Sequence, residues 1–199
     1  DAGLSDRITY VFHGNPEILA KEQNDPESFL KRYLRPFRHV IYRTILSDSN
    51  IQVVAVSKSS AEGISKLGLS QRINICYPPG QLDINCQPYL NNLRNNEINA
   101  VTVSRISPEK GLEWLAFLAN KCKEMTLPVI FTLIGPYLDE KYYQNISLKL
   151  VNAGVRLAGT KKGKDLCQSY LDSDVLVMPS PQEGFPLVST EGLRHSRPV

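Results

Sequence analysis

Asp174-Val175-Leu176-Val177-Met178, running straight into Pro179-Ser180-Pro181-Gln182-Glu183-Gly184-Phe185-Pro186-Leu187, is the stretch on which the fold turns. Residues 175–178 are apolar on both faces, as a strand covered on both sides of a parallel sheet must be. The Gly- and Pro-punctuated loop that follows leads into a run with helical spacing. Earlier in the chain, Pro128-Val129-Ile130-Phe131-Thr132-Leu133-Ile134 has the same two-sided apolar character. Around these two runs, β-branched segments at 101–103, 129–134, 155–157 and 175–178 alternate with amphipathic segments at 111–123, 139–151 and 165–171. Strand and helix in regular alternation predict a doubly wound α/β sheet, with right-handed crossovers that put a ligand at the carboxyl ends of the strands.

The first part of the chain reads as a second, incomplete α/β unit. Strands are expected at 8–12, 51–56 and 73–77, a long helix within 27–46, and a further helix at 59–67. Pro78-Pro79-Gly80 and the asparagine-rich stretch that ends at Asn96 mark a turn-rich connection. Three segments are therefore expected: 1–84 as one unit, 85–97 as a linker, and 98–199 as a second unit. In the long helix, Leu30, Tyr33, Leu34, Phe37 and Ile41 form an apolar seam beside Lys31, Arg32, Arg35, Arg38 and Arg43. Such a stripe is either a solvated outer face, the commoner case, or a surface resting on an anionic bilayer.

Composition narrows the function classes. With 42% hydrophobic residues in 199, the chain can bury one full core or two small ones. A net charge of +3 is too small to argue for nucleic acid. No apolar stretch approaches the length of a membrane span and no signal-like segment opens the sequence, so a cytoplasmic, soluble protein is expected. Contact with the inner face of a membrane is the one addition the basic stripe suggests. Cys76, Cys122, Cys167 and Cys86 stand far apart without metal-ligand spacing and are expected to be reduced. The chain starts at Asp1 and stops just after a helix-like run, so both ends read as cut from something longer.

Two loops carry the chemistry. Ser104-Arg105-Ile106-Ser107-Pro108-Glu109-Lys110-Gly111 follows the strand at 101–103 and precedes a helix. Arg105 offers a planar fork of donors and Lys110 a point charge, a combination suited to a diphosphate. A solvated loop that merely starts a helix is the equal alternative for this segment alone. In the second loop, Pro186 stands where a helix can start, leaving the N–H groups of Phe185, Leu187 and Val188 as a phosphate seat. Glu183 and Glu191, eight residues apart, can each accept hydrogen bonds from paired hydroxyls.

Taken together, Arg105 with Lys110, Gly135 after a strand, Gly159 before a turn, and Glu183 with Glu191 resemble the signature series of the family 4 retaining glycosyltransferases of GT-B fold, across about residues 98–199. The resemblance implies two Rossmann-like parallel sheets, both incomplete here, with 98–199 binding a nucleotide sugar and 1–84 a remnant of the acceptor side. It implies that Arg105 and Lys110 bind the donor diphosphate, Glu183 the transferred hexose and Glu191 the ribose. Gly184, Phe185, Pro186, Leu187 and Val188 would lie at the phosphates, and Gly159 with Thr160 beside the base. His13, after the strand at 8–12, looks like the histidine that reaches the donor sugar in such enzymes; a polar strand cap is the other reading. The implied reaction is hexose transfer from a UDP- or GDP-type donor to a glycan or lipid-linked acceptor hydroxyl with retention, needing neither metal nor cofactor. Two departures stand out: Ser104 replaces the usual glycine, and Pro136-Tyr137 replaces a more flexible turn, which is expected to narrow the donor pocket.

Three rival readings remain open on the residues. A glycoside hydrolase using Glu183 and Glu191 leaves Arg105 and Lys110 without a role. A nucleotide-sugar epimerase and a non-catalytic nucleotide-sugar binding module would share the fold. A dinucleotide dehydrogenase is disfavoured, since no Gly-x-Gly-x-x-Gly follows any strand.

Overall fold

The computed structural model describes residues 8–12, 40, 44, 51–66, 73–77, 97–181, 183 and 185–199. The chain divides into two units, one of Asp1–Pro78 with Glu183–Phe185 and one of Pro79–Gln182 with Pro186–Val199.

In the first unit, β1 (Ile8–Phe12), β2 (Ile51–Ala55) and β3 (Ile73–Ile75) form a parallel sheet in that order. Ile8 pairs with Ile51 and Val53 with Ile73. Helix α1 (Lys58–Ile64) starts at Ser57, whose hydroxyl accepts from the Ser60 amide at 3.1 Å and so satisfies one orphan N–H of the first turn. Ile64 closes over Val53 and Ala55, and all three are fully buried. Of the expected helix within 27–46, only Val40 and Thr44 lie among the described residues. Both are helical and exposed, and the Thr44 hydroxyl donates to the Val40 carbonyl.

The second unit contains β4 (Ile98–Val103), α2 (Leu112–Glu124), β5 (Val129–Ile134), α3 (Glu140–Asn152), β6 (Arg156–Leu157), α4 (Gly163–Leu171), β7 (Val175–Leu176) and α5 (Leu187–Arg194). Its sheet is parallel throughout, in the order β6-β5-β4-β7. Strand side chains alternate between the faces, so burial on both sides needs two helical layers. Ala100, Phe131 and Leu133 meet Leu112, Leu115 and Ala116 of α2 and Ile146 and Leu150 of α3 on one face. Val101, Ile134 and Leu176 meet Tyr170 of α4 on the other. The two-sided apolar reading of 128–134 thus has its physical cause: each face of β5 packs against a helical layer.

Helix boundaries follow local chemistry. Asp139 caps α3 by accepting from the Tyr142 amide at 3.1 Å. Gly111 precedes α2 in a left-handed conformation, φ 63°. Cys76 and Cys122 are free, whereas Cys167 is disulfide-bonded, which corrects the expectation of reduced thiols at that position. Spacing along the chain carries no information on which sulfurs approach in space. Among the described residues, no helix is long and apolar enough to cross a membrane.

Candidate functional site

Because β4 to β7 run parallel, the segments that leave their carboxyl ends all emerge along one edge of the second unit. β4 delivers Arg105. The Ser104 amide donates to the Ile134 carbonyl at 3.0 Å and the Ile106 amide to the Pro136 carbonyl at 2.8 Å, so the loop after β4 stays pinned to the loop after β5 on either side of Arg105. The Arg105 side chain itself is more than half exposed. A 3-10 turn, Pro108–Lys110, places Lys110 just before α2.

Glu109 lies between these cations in sequence and in charge. Its carboxylate accepts from the Ser107 hydroxyl at 2.7 Å and pairs with Arg105 at 3.5 Å. Burial pushes its carboxyl up, but the Ser107 hydroxyl, its own backbone N–H and the nearby Arg105 and Lys110 charges together outweigh that and hold it below the ordinary carboxylate value.

The end of β5 is locked to the end of β6, with the Gly135 amide donating to the Gly159 carbonyl at 2.9 Å. Gly135 has φ 151°, and a Cβ there would stand 1.8 Å from the Ser104 carbonyl oxygen. Only glycine lets these two backbone strands approach so closely. Gly159 and Thr160 are exposed at this turn.

After β7, the chain reaches Pro186 and enters α5 at Leu187. Leu187 is exposed, while Val188 is partly buried against the face that holds Tyr170. Glu191 lies in the second turn, and the Tyr170 hydroxyl donates to its Oε2 at 2.7 Å. Burial, reinforced by Glu191, pushes the Tyr170 phenol well above its ordinary range, so it remains a donor. His195 stacks on the Tyr170 ring with centroids 4.9 Å apart. Its Nδ1 is 2.7 Å from the Glu191 carbonyl, which can only accept, so Nδ1 carries the proton. His195 Nε2 stands 3.4 Å from Cys167 Sγ.

In the second unit Arg105 and Lys110 follow β4, Gly135 follows β5, Gly159 and Thr160 follow β6, and Pro186, Leu187, Val188 and Glu191 come after β7 in chain order. Glu183 and Phe185 group with the first unit, where the Phe185 ring is 5.6 Å from that of Tyr77. His13 and Gly184 lie outside the described residues. Tyr170 was not singled out from the sequence. Its signal was weak: an aromatic on the inward side of an amphipathic helix, whose hydroxyl must find some partner once buried. Among the described residues, no group of three or more His, Cys, Asp or Glu side chains is placed to hold a metal ion.

The family model described as glycosyl transferases group 1 matches residues 90–199, more than half of the chain. The chain belongs to this family. Among relatives of the group 1 transferases, sulfoquinovosyl transferase SQD2 of Arabidopsis thaliana is 32% identical over 99 residues, covering 50% of this chain and 18% of that protein. WaaG, a glycosyltransferase involved in lipopolysaccharide biosynthesis, superposes with TM-score 0.71 at 16% identity, over 96% of this chain and 55% of its own. A variant of S. aureus TarM, solved with Fondaparinux, alpha-GlcNAc-glycerol and UDP, gives TM-score 0.64 at 19% identity, over 97% of this chain and 36% of its own. This group 1 chain thus spans between about a fifth and a little over half of these proteins.

Proposed function

We propose that this chain carries the donor side of a family 4 retaining glycosyltransferase that moves a hexose from a nucleoside-diphosphate sugar to an acceptor hydroxyl. The observation that supports the reading most is that Arg105 and Lys110 follow β4 and the Glu191 helix follows β7, neighbouring strands of a single parallel sheet within a group 1 domain. Two cations and the first turn of a helix at such an edge favour a diphosphate. The UDP bound in the TarM structure accords with a nucleotide donor of UDP or GDP type.

In this reading Arg105 and Lys110 hold the diphosphate oxygens, with the backbone at Phe185, Leu187 and Val188 adding N–H donors. Glu191 accepts from ribose hydroxyls, Glu183 from hydroxyls of the hexose, and the Gly159-Thr160 turn lies at the base. Pro186 stands at the start of the phosphate-binding helix and Gly135 permits the close backbone approach after β5, while Gly184 is assigned to the phosphates and His13 to the donor sugar on the sequence resemblance alone. The bond from the anomeric carbon to the β-phosphate oxygen breaks and a bond from the same carbon to the acceptor oxygen forms. The acceptor proton passes to the departing phosphate oxygen on the same face, which accounts for retention without a separate base. Charge grows on the leaving diphosphate as the bond breaks, so Arg105 and Lys110 stabilise the transition state more than the ground state. A glycan or lipid-linked acceptor, the division into an acceptor remnant at 1–84, a linker at 85–97 and a donor domain at 98–199, and a cytoplasmic setting at a membrane face belong to the same proposal.

The test is calorimetric titration of the chain with UDP, GDP and ADP, repeated with Arg105→Ala and Glu191→Ala. Saturable binding of one nucleotide, lost in both variants, is expected. A folded chain that binds none of the three would sink the donor-site reading. Product analysis on the whole protein then separates a new glycosidic bond from an epimerised nucleotide sugar.

A further inference from the structure

Tyr170 is 1% exposed, so its hydroxyl cannot itself touch a ligand. It nevertheless reaches the one acidic side chain of α5, donating to Glu191 Oε2 at 2.7 Å from a different helix, 21 residues earlier. Oε1 of the same carboxylate has no hydrogen-bond donor among the described residues. The Tyr170 ring is fixed by stacking on His195, and His195 is tied through its Nδ1–H to the Glu191 carbonyl. Side chain and backbone of Glu191 are therefore held from the same buried pair. A carboxylate on an isolated helix turn samples several rotamers, and fixing it beforehand removes an ordering cost from binding.

We propose that Tyr170 is a positioning residue for nucleotide binding: its buried hydroxyl holds one oxygen of Glu191 so that the other is left for the ribose hydroxyls of a nucleoside diphosphate. The inference rests on the donor-site reading of Glu191 and adds to it a residue that acts only through that carboxylate. Tyr170→Phe keeps the ring, its stacking on His195 and its place in the core, and removes only the donor. Without it, Glu191 loses its fixed orientation and gains a desolvated oxygen.

The experiment compares ribose and 2′,3′-dideoxyribose forms of UDP and GDP in calorimetric titrations of the wild-type chain, Tyr170→Phe, Glu191→Asp and Glu191→Ala, with thermal melts to establish folding. Tyr170→Phe is expected to weaken the ribose form about 5- to 10-fold while leaving the dideoxy form within about twofold. Glu191→Asp, which withdraws the carboxylate from the Tyr170 hydroxyl, is expected to show the same selective loss and serves should Tyr170→Phe not fold. Equal weakening of both forms would mean a purely structural role and overturns the inference. So does unchanged ribose binding in Tyr170→Phe when Glu191→Ala abolishes it. A wild-type chain that binds both forms equally overturns the ribose assignment of Glu191 itself, and a chain that binds neither overturns the donor site as a whole.

Discussion

Gly111 and Pro179 meet backbone to backbone: a Cβ on Gly111 would lie 2.3 Å from the Pro179 carbonyl oxygen and 3.2 Å from the Pro181 ring. The loop that carries Arg105 and Lys110 and the loop that leaves β7 therefore share a contact that leaves no room for a side chain. Gly111 also holds φ 63°, where an L-residue is strained. Gly111→Ala combines both costs, and because the blocking atom belongs to the backbone it cannot simply rotate away. We expect a loss of about 2 kcal/mol or more, seen as a melting temperature lower by several degrees. Nucleotide affinity should fall beyond what the stability loss explains, since both loops must shift. Urea melts together with calorimetry check the two parts, and a variant that melts like the wild type would show that the loops yield freely.

Glu109 gives a pH dependence with a definite sign. Its folded pKa lies below the ordinary 4.5, so its contribution is complete above that value and disappears as pH falls through the depressed folded value. The stability gap between the wild type and Glu109→Gln should therefore be constant near neutrality and close in acid. The carboxylate is 39% exposed, so solvent screening keeps the gap to roughly 0.5 kcal/mol. Melts of both proteins from pH 7 down to pH 3 measure it; a gap that widens in acid would contradict the assignment.

Core and surface leucines on one helix separate burial from propensity. Leu150 of α3 is fully buried between the sheet and α2, while Leu148, two residues earlier, is 64% exposed. Leu150→Ala should cost about 3 kcal/mol through lost transfer energy and the cavity left behind. Leu148→Ala should change stability by no more than about 0.5 kcal/mol. Chemical denaturation of the two single variants is sufficient, and comparable losses would place the core elsewhere.

These contrasts also show where the sequence was legible. Strand β5 and helices α2 and α3 stand within one residue of the positions read from alternation, because each buries a face whose period is written directly in the residue types, whereas β4 starts at Ile98, three residues before the expected 101. β7 is shorter than its apolar run: only Val175 and Leu176 pair with β4 in the ladder, although the Val177 amide still donates to the Val101 carbonyl at 2.8 Å. Arg105, Lys110, Gly135 and Gly159 could be placed because parallel topology fixes which loops share an edge. The Tyr170–Glu191 bond, the Ser107–Glu109 clamp and the packing of Gly111 on Pro179 could not. Each joins groups whose approach depends on tertiary geometry, which no periodicity encodes.

Arg105 and Lys110 are expected to differ in what a diphosphate takes from them. Arginine presents two parallel N–H groups to paired oxygens, whereas lysine contributes charge with little directional demand. Arg105→Lys keeps the net charge and loses the fork, so affinity for UDP or GDP should fall about tenfold while its dependence on salt stays as in the wild type. Lys110→Gln removes a charge and leaves the fork, so affinity should fall and its salt dependence should flatten. Titrations of both variants between about 50 and about 300 mM salt, roughly a sixfold range chosen to change the screening length, separate the two effects. If both variants lost salt dependence alike, the two side chains would be acting only as a pooled positive field, and the forked contact assigned to Arg105 would have to be given up.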